Sequence, residues 1–247
     1  MTIVGIIGGT GMTELAGLEI EREQAVGTPW GEPSSPVMFG RFAGVPVAFL
    51  VRHGVGRGIP PHLVNYRANC WALREAGAER VVAVNAVGGI SGDCKPGSLV
   101  IPDQLVDFTH GRAQTYCDGS DVPLTHIDFT EPYSAALREW LLWAGTAAGL
   151  EPRDGGTYAA TQGPRLETAA EIDFLERQGC DIVGMTGMPE AALARELGLE
   201  YACCAVVVNW AAGRGGDIHA ELEQWVAGGM AAARRLLEFA LVPENGP

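Results

Sequence analysis

The sequence predicts an α/β protein with strands and helices alternating along one domain, 1–247. Three observations carry this. Short β-branched runs recur at 2–7, 45–51, 81–87, 99–101, 157–161 and 201–208, and read as buried strands. Stretches with apolar residues three and four apart stand between several of them. Finally, the 15 prolines and 34 glycines are spread between these elements and gather into no linker.

The first run enters Gly8-Gly9-Thr10-Gly11, a turn at which backbone amides and a threonine hydroxyl can approach an anion. It is not a dinucleotide fingerprint, because Glu14 stands where a third glycine is needed, and no lysine makes it a P-loop. The second run ends in Arg52-His53-Gly54 and the third in Asn85-Ala86-Val87-Gly88-Gly89. A guanidinium fork, a ring nitrogen and free amides at strand ends suit a tetrahedral oxyanion, although a surface ion pair and a core histidine explain Arg52 and His53 equally simply. Between these runs Leu63, Tyr66, Cys70 and Leu73 share one helical face, and further on Tyr133, Leu137, Trp140, Leu141 and Ala144 share another.

Two later segments read as junctions into helices. One runs from Gln162 through Gly163-Pro164-Arg165-Leu166-Glu167 to Thr168, the other from Gly184 through Met185-Thr186-Gly187-Met188-Pro189 to Glu190. Taken singly, Glu167 is a carboxylate for a helix N-terminus and Met185 a core filler. The last strand ends at Asn209, whose carboxamide offers one acceptor and two donors at a carboxyl edge where α/β sheets bind ligands. A helix with Ile218, Leu222, Trp225, Val226, Met230, Ala233 and Leu237 at helical spacing is predicted over 217–241. The irregular stretches 27–36 and 110–132 are long enough to form binding surface or contacts between subunits.

The net charge of −13 excludes a broad basic face for nucleic acid or an anionic membrane, and no run nears the ~18 apolar residues of a membrane span. Six scattered cysteines without a Cys-x-x-Cys spacing, and a start without the basic and apolar regions of a signal peptide, fit a reduced, cytoplasmic protein. No metal motif and no Gly-x-Ser-x-Gly elbow is present.

In this order the motifs resemble those of the trimeric purine nucleoside phosphorylase and 5'-methylthioadenosine phosphorylase family. The resemblance covers nearly the whole chain through residues 8–11, 28–34, 52–54, 64–69, 163–168 and 185–190. It implies a central mixed sheet curling into a distorted barrel flanked by helices, a homotrimer or a dimer of trimers, and cleavage of a purine nucleoside by inorganic phosphate. That co-substrate is the only small molecule besides the nucleoside; no metal or organic cofactor is implied.

Carried over position by position, Thr10, Arg52, His53, Ala86 and Thr186 are expected to hold phosphate, and Met185, Val87 and Gly88 to meet the nucleoside. Asn209 and Glu167 are expected to act on the base, with Leu166 where the family usually stacks a phenylalanine. The methylthioadenosine branch has Asp-x-Asp where this chain reads Asn209-Trp210-Ala211, and tends to have serine in place of Glu167, so a 6-oxopurine is implied. Leu222 and Val226 are expected to form an apolar pocket for the 5' substituent, with His126 arriving from a neighbouring subunit; Arg57 replaces a histidine near the sugar. A 6-oxopurine reader joined to an apolar 5' pocket implies 5'-methylthioinosine as substrate. A broad 6-oxopurine nucleoside phosphorylase, a methylthioadenosine phosphorylase, a hydrolytic nucleosidase and a non-enzymatic nucleotide-binding module are the alternatives.

Overall fold

A computed structural model describes residues 3–56, 58–119 and 122–241. Arg57, singled out above beside the sugar, lies outside the described residues.

Strand β5 (Ala78–Gly89) organises the molecule. Along one edge it pairs in parallel with β11 (Glu200–Trp210), and along the first half of the other with β1 (Ile3–Gly8). Parallel strands buried on both faces need continuous apolar runs, which is what Val81–Val84 and Ala202–Val208 supply. Outward from β1 follow β4 (Val45–Val51) in parallel, then β3 (Val37–Phe42) and the edge strand β2 (Glu19–Gln24), both antiparallel to their inner neighbours. Beyond β11 lie β6 (Leu99–Ile101) and the two-residue β8 (Arg153–Asp154).

The sheet is mixed, and it forks. Among the described residues β1 leaves β5 at Val84, and at Gly88 the same edge is taken up in the antiparallel sense by β10 (Ile182–Gly184), followed by β9 (Thr157–Ala160) and β7 (Gln104–Asp107). Asn85, Ala86 and Val87 therefore face an opening between two arms of the sheet. Openings of this kind at carboxyl ends of strands are where α/β proteins bind ligands.

The two faces of the sheet carry separate cores, as the two-residue period of a strand requires. On one face Ile7, Leu50, Val81, Ala83, Cys203 and Ala205 pack with α1 (Tyr66–Glu75) and α4 (Gly187–Glu196). On the other Ile6, Phe49, Val82, Val84, Cys204 and Val206 pack with α2 (Ala135–Ala147) and α5 (Ile218–Leu241). α3 (Ala169–Arg177) begins with a capping box between Thr168 and Glu171, so Glu171 takes the N-terminal role that Glu167 was open to. Leu63 departs from expectation: it lies in a 3₁₀ turn, Pro61–Leu63, and is 65% exposed, while Tyr66, Cys70 and Leu73 form the buried face. No helix among the described residues is long and apolar enough to cross a membrane.

Candidate active site

The fork opens into a cavity of about 430 Å³ lined from six strand ends and their following segments. Its wall includes Thr10, Arg52, His53, Ala86, Val87, Gly88, Leu166, Glu167, Met185, Thr186, Asn209 and Leu222, twelve of the fourteen residues expected from sequence. The other two lie elsewhere. Val226 is turned onto the Gly11 turn and the core, and Ile218, one helical turn before Leu222, takes its place in the cavity wall. His126 is exposed and apart from the cavity of its own chain.

The anion side is built on a buried relay. Arg52 is 1% exposed, and its guanidinium is bidentate to Glu190, with Nε donating to Oε2 at 2.7 Å and Nη2 to Oε1 at 2.8 Å. Nη2 also donates to Asn85 Oδ1 at 3.2 Å, and Nη1 to the Val84 carbonyl at 3.1 Å, at the point where β1 parts from β5. Burial opposes the guanidinium charge, but Glu190, by charge and hydrogen bonds, outweighs it and holds Arg52 above the ordinary arginine range. The fork expected to meet an oxyanion directly is thus occupied by Glu190. Counting the five guanidinium hydrogens, one on Nη1 is left.

Asn85 passes the arrangement on. With its oxygen held by Arg52, its Nδ2 donates to Thr186 Oγ1 at 2.8 Å, so the threonine hydroxyl keeps its own hydrogen for the cavity. Gly9 makes room for the relay, since a Cβ there would lie 2.6 Å from Arg52 Nη1. His53 is oriented independently: Nδ1 lies 2.9 Å from the Ile59 carbonyl, which fixes Nδ1 as the donor and leaves Nε2 bare. Burial, then the charge of Arg52, lowers its pKa from 6.5.

The cavity wall also includes the residues expected to act on the base. In β11 the register against β5 slips between Val207 and Asn209, so that Asn209, and not Val208, pairs with Gly88. This bulge re-aims Asn209 next to the end of the strand. Asn209 is 7% exposed; its Nδ2 donates to the Trp210 carbonyl at 2.7 Å, leaving Oδ1 and one amide hydrogen. Glu221 of α5 accepts from the Trp210 and Gly216 amides and so ties the end of β11 to the helix carrying Leu222. Glu167, also in the cavity wall, is held by Thr161, whose hydroxyl donates to Oε1 at 2.6 Å.

Three residues of this architecture were not anticipated: Glu190, Asn85 and Arg112. Arg112, from the long stretch after β7, is 9% exposed and bonds to both the loop after β9 and the turn after β10. Glu190 and Asn85 had one available signal, a polar side chain within an otherwise apolar buried segment.

The chain belongs to the phosphorylase superfamily, whose family model matches residues 3–241, and it is an enzyme of that class. A probable S-methyl-5'-thioinosine phosphorylase from Pseudomonas syringae pv. tomato is 55% identical over 243 residues, covering 98% of this chain and 99% of the relative. A 6-oxopurine nucleoside phosphorylase from Pyrococcus furiosus is 48% identical over 221 residues, 87% of this chain and 82% of the relative. Among solved structures, methylthioadenosine phosphorylase from Schistosoma mansoni in complex with adenine superposes with a TM-score of 0.89 at 33% identity, covering 97% of this chain and 91% of the other. The family expected from the six motifs is the family found.

Proposed function

We propose that this enzyme is a pentosyltransferase of purine salvage that cleaves S-methyl-5'-thioinosine with inorganic phosphate, giving hypoxanthine and 5-methylthioribose 1-phosphate. The observation that carries the reading is the pairing, in one cavity, of a carboxylate reader, Glu167, with an apolar end formed by Ile218 and Leu222. A 6-oxopurine presents N1–H to an acceptor, whereas a 6-aminopurine presents a bare N1, and a carboxylate only accepts. An unmodified 5'-hydroxyl finds no partner on Ile218 or Leu222, while a methylthio group is favoured by about 0.8 kcal/mol per buried CH₂-sized group. The P. syringae relative supports the same substrate.

In the reaction an oxygen of hydrogen phosphate bonds to C1' as the C1'–N9 bond breaks, the bonding pair leaves with the purine, and the proton that the phosphate gives up ends, by way of solvent, on N7 of the base. Phosphate held by Thr10, Thr186, the Ala86 amide, His53 and the remaining Arg52 hydrogen stabilises the positive charge on the sugar. Asn209 Oδ1 accepts the hydrogen carried at N7 of the departing base, and its free amide hydrogen meets O6. Met185, with Val87 and Gly88, lines the sugar and base contacts. These are preorganised electrostatic and positioning effects, which ask for no metal or organic cofactor. The working form in this proposal is a cytoplasmic homotrimer or dimer of trimers in which a neighbouring subunit brings His126 to the 5' end.

Phosphorolysis of methylthioinosine, inosine and methylthioadenosine, each with and without phosphate, tests the reading. Methylthioinosine should have the highest kcat/KM, with no turnover when phosphate is omitted. Comparable inosine turnover would instead favour a broad 6-oxopurine phosphorylase, the activity named for the P. furiosus relative. Best turnover of methylthioadenosine would overturn the assignment of the base.

His53 gives a second expectation. In the free enzyme it is neutral at pH 7, with Nδ1–H on Ile59 and an acceptor at Nε2. Phosphate dianion needs a donor there, so binding takes up a proton, either on Nε2 or on the phosphate itself. The phosphate KM should then rise with pH above neutrality, approaching about tenfold per unit. In His53→Gln, whose side chain supplies a permanent donor, the slope should flatten. A wild-type KM constant between about pH 7 and 8.5 removes His53 from the phosphate subsite.

A further inference from the structure

Of the two buried arginines, Arg52 is paired with Glu190, whereas none of the hydrogen bonds of Arg112, among the described residues, goes to a carboxylate. Nη1 donates to the Met185 carbonyl at 2.8 Å and the Met188 carbonyl at 2.6 Å; Nη2 donates to the Gln162 carbonyl at 2.8 Å and the Thr161 carbonyl at 3.2 Å. The guanidinium lies 5.6 Å from the centre of the Tyr66 ring, and its Nε has no partner among the described residues. A buried cation is costly unless compensated, and here the compensation is four carbonyl dipoles from two separate loops. Those loops follow β9 and β10 and carry the two halves of the nucleoside site.

Each side of the clamp leads to a contact. Thr161, held through its carbonyl, donates its hydroxyl to Glu167. Met185, held through its own carbonyl, lies against the same loop: a Cβ on Gly163, whose φ is +61°, would come within 2.5 Å of Met185 Sδ. Only the planar fork of an arginine reaches four acceptors arranged in this way; an ammonium offers three donors from a single point. The Thr186 hydroxyl, by contrast, takes its hydrogen bond from Asn85, and Arg112 reaches only the backbone on either side of it. The side chain facing phosphate, Thr186, is therefore oriented by Asn85, while Arg112 sets the spacing of the two loops.

We propose that Arg112 is a positioning residue for the nucleoside, fixing the spacing between the base-reading loop with Glu167 and the sugar-contacting turn with Met185. The proposal rests on the substrate reading given above. A misplacement near 1 Å at a reacting centre costs roughly a hundredfold in rate.

The test compares wild type with Arg112→Lys and Arg112→Ala in steady-state kinetics, varying methylthioinosine, methylthioadenosine and phosphate in turn. Arg112→Lys should lose roughly ten- to a hundredfold in kcat/KM for methylthioinosine, with the phosphate KM changed by less than about twofold. Its preference for methylthioinosine over methylthioadenosine should shrink, because Glu167 is no longer held in register. Added guanidinium ion should restore activity to Arg112→Ala. Wild-type kinetics in Arg112→Lys would overturn the proposal. So would a fall in kcat alone at unchanged KM values and unchanged base preference, which is the signature of fewer folded molecules. Failure of both variants to fold would assign Arg112 to stability and also overturn it. Wild type run in parallel separates the two readings: no turnover of methylthioinosine by wild type sinks the substrate assignment, and the Arg112 comparison then uses the nucleoside that wild type accepts.

Discussion

Glu190→Gln is expected to lower the stability of the protein by about 3–5 kcal/mol, and to make the stability that remains depend on phosphate. Arg52 and Glu190 are 1% and 0% exposed, and Glu190 also accepts the Tyr201 hydroxyl at 2.8 Å. Glutamine keeps one acceptor for the guanidinium but turns an amide toward donors, and the charge of Arg52 is left without its counterion. Removing one partner of a buried pair costs far more than the pair itself contributes. The freed charge lies at the cavity wall proposed above for phosphate, so on that reading a bound dianion should replace the missing carboxylate. By mass action, phosphate at about a hundred times its Kd stabilises a folded protein by about 2.7 kcal/mol, and a variant with tighter phosphate binding gains more at the same concentration. Urea denaturation with and without phosphate reads both effects. The midpoint of Glu190→Gln should fall sharply without phosphate and recover more than that of wild type when phosphate is added. Introducing Arg52→Met into the same variant should cost less than the sum of the single changes, because the unpaired charge disappears with it. A wild-type midpoint in Glu190→Gln would show that the pair is not what holds the anion wall.

The charge logic of that wall explains what the sequence could and could not disclose. Strands with apolar residues on both faces were legible because composition follows burial: β4 and β6 fall on their expected bounds, and β1, β5, β9 and β11 differ only at their ends. β2 was not, since Glu19-Ile20-Glu21-Arg22-Glu23-Gln24 lies exposed at the sheet edge, where charge protects against unwanted pairing and hides the strand pattern. β10 and β7 are too short to show a period. In the site, strand ends rich in glycine and polar groups pointed to Thr10, His53 and Asn209 because local chemistry marks them. Arg52 was recognised as a site residue but its ion-pair partner was not, because Glu190 lies 138 residues away and only the fold brings the two together. Arg112 carries no local signal at all. Its partners are backbone carbonyls, which every residue possesses, and their arrangement exists only once β9 and β10 are paired. Val226 and Ile218 show a finer limit, since helical spacing places both near Leu222 and only the packing of α5 on the Gly11 turn decides which one faces the cavity.

Glu167→Gln is expected to turn the base preference toward 6-aminopurines, and the geometry indicates why a single amide is enough. Thr161 Oγ1 lies 2.6 Å from Glu167 Oε1, and as a donor it will hold the carbonyl of the introduced amide. The NH₂ group is then presented to the base. Adenine N1 gains a donor, whereas hypoxanthine N1–H meets one and its own donor goes unpaired. Each unsatisfied buried group costs about 1–3 kcal/mol, and the two changes act in the same direction. The ratio of kcat/KM for methylthioinosine to that for methylthioadenosine should therefore fall by roughly a hundredfold, at 1.4 kcal/mol per factor of ten. Asn209→Asp, the other obvious exchange, should shift the ratio less on its own. Asn209 Nδ2 donates to the Trp210 carbonyl at 2.7 Å, and a carboxylate there would face that carbonyl oxygen and pull away from the base. In the double variant the relieved position 167 lets the carboxylate act on a 6-amino group, so the second change should add to the first. Competition of the two nucleosides in one assay measures the ratio directly. An unchanged ratio in Glu167→Gln would mean that Glu167 does not meet N1, and the 6-oxopurine reading would have to rest on Asn209 alone.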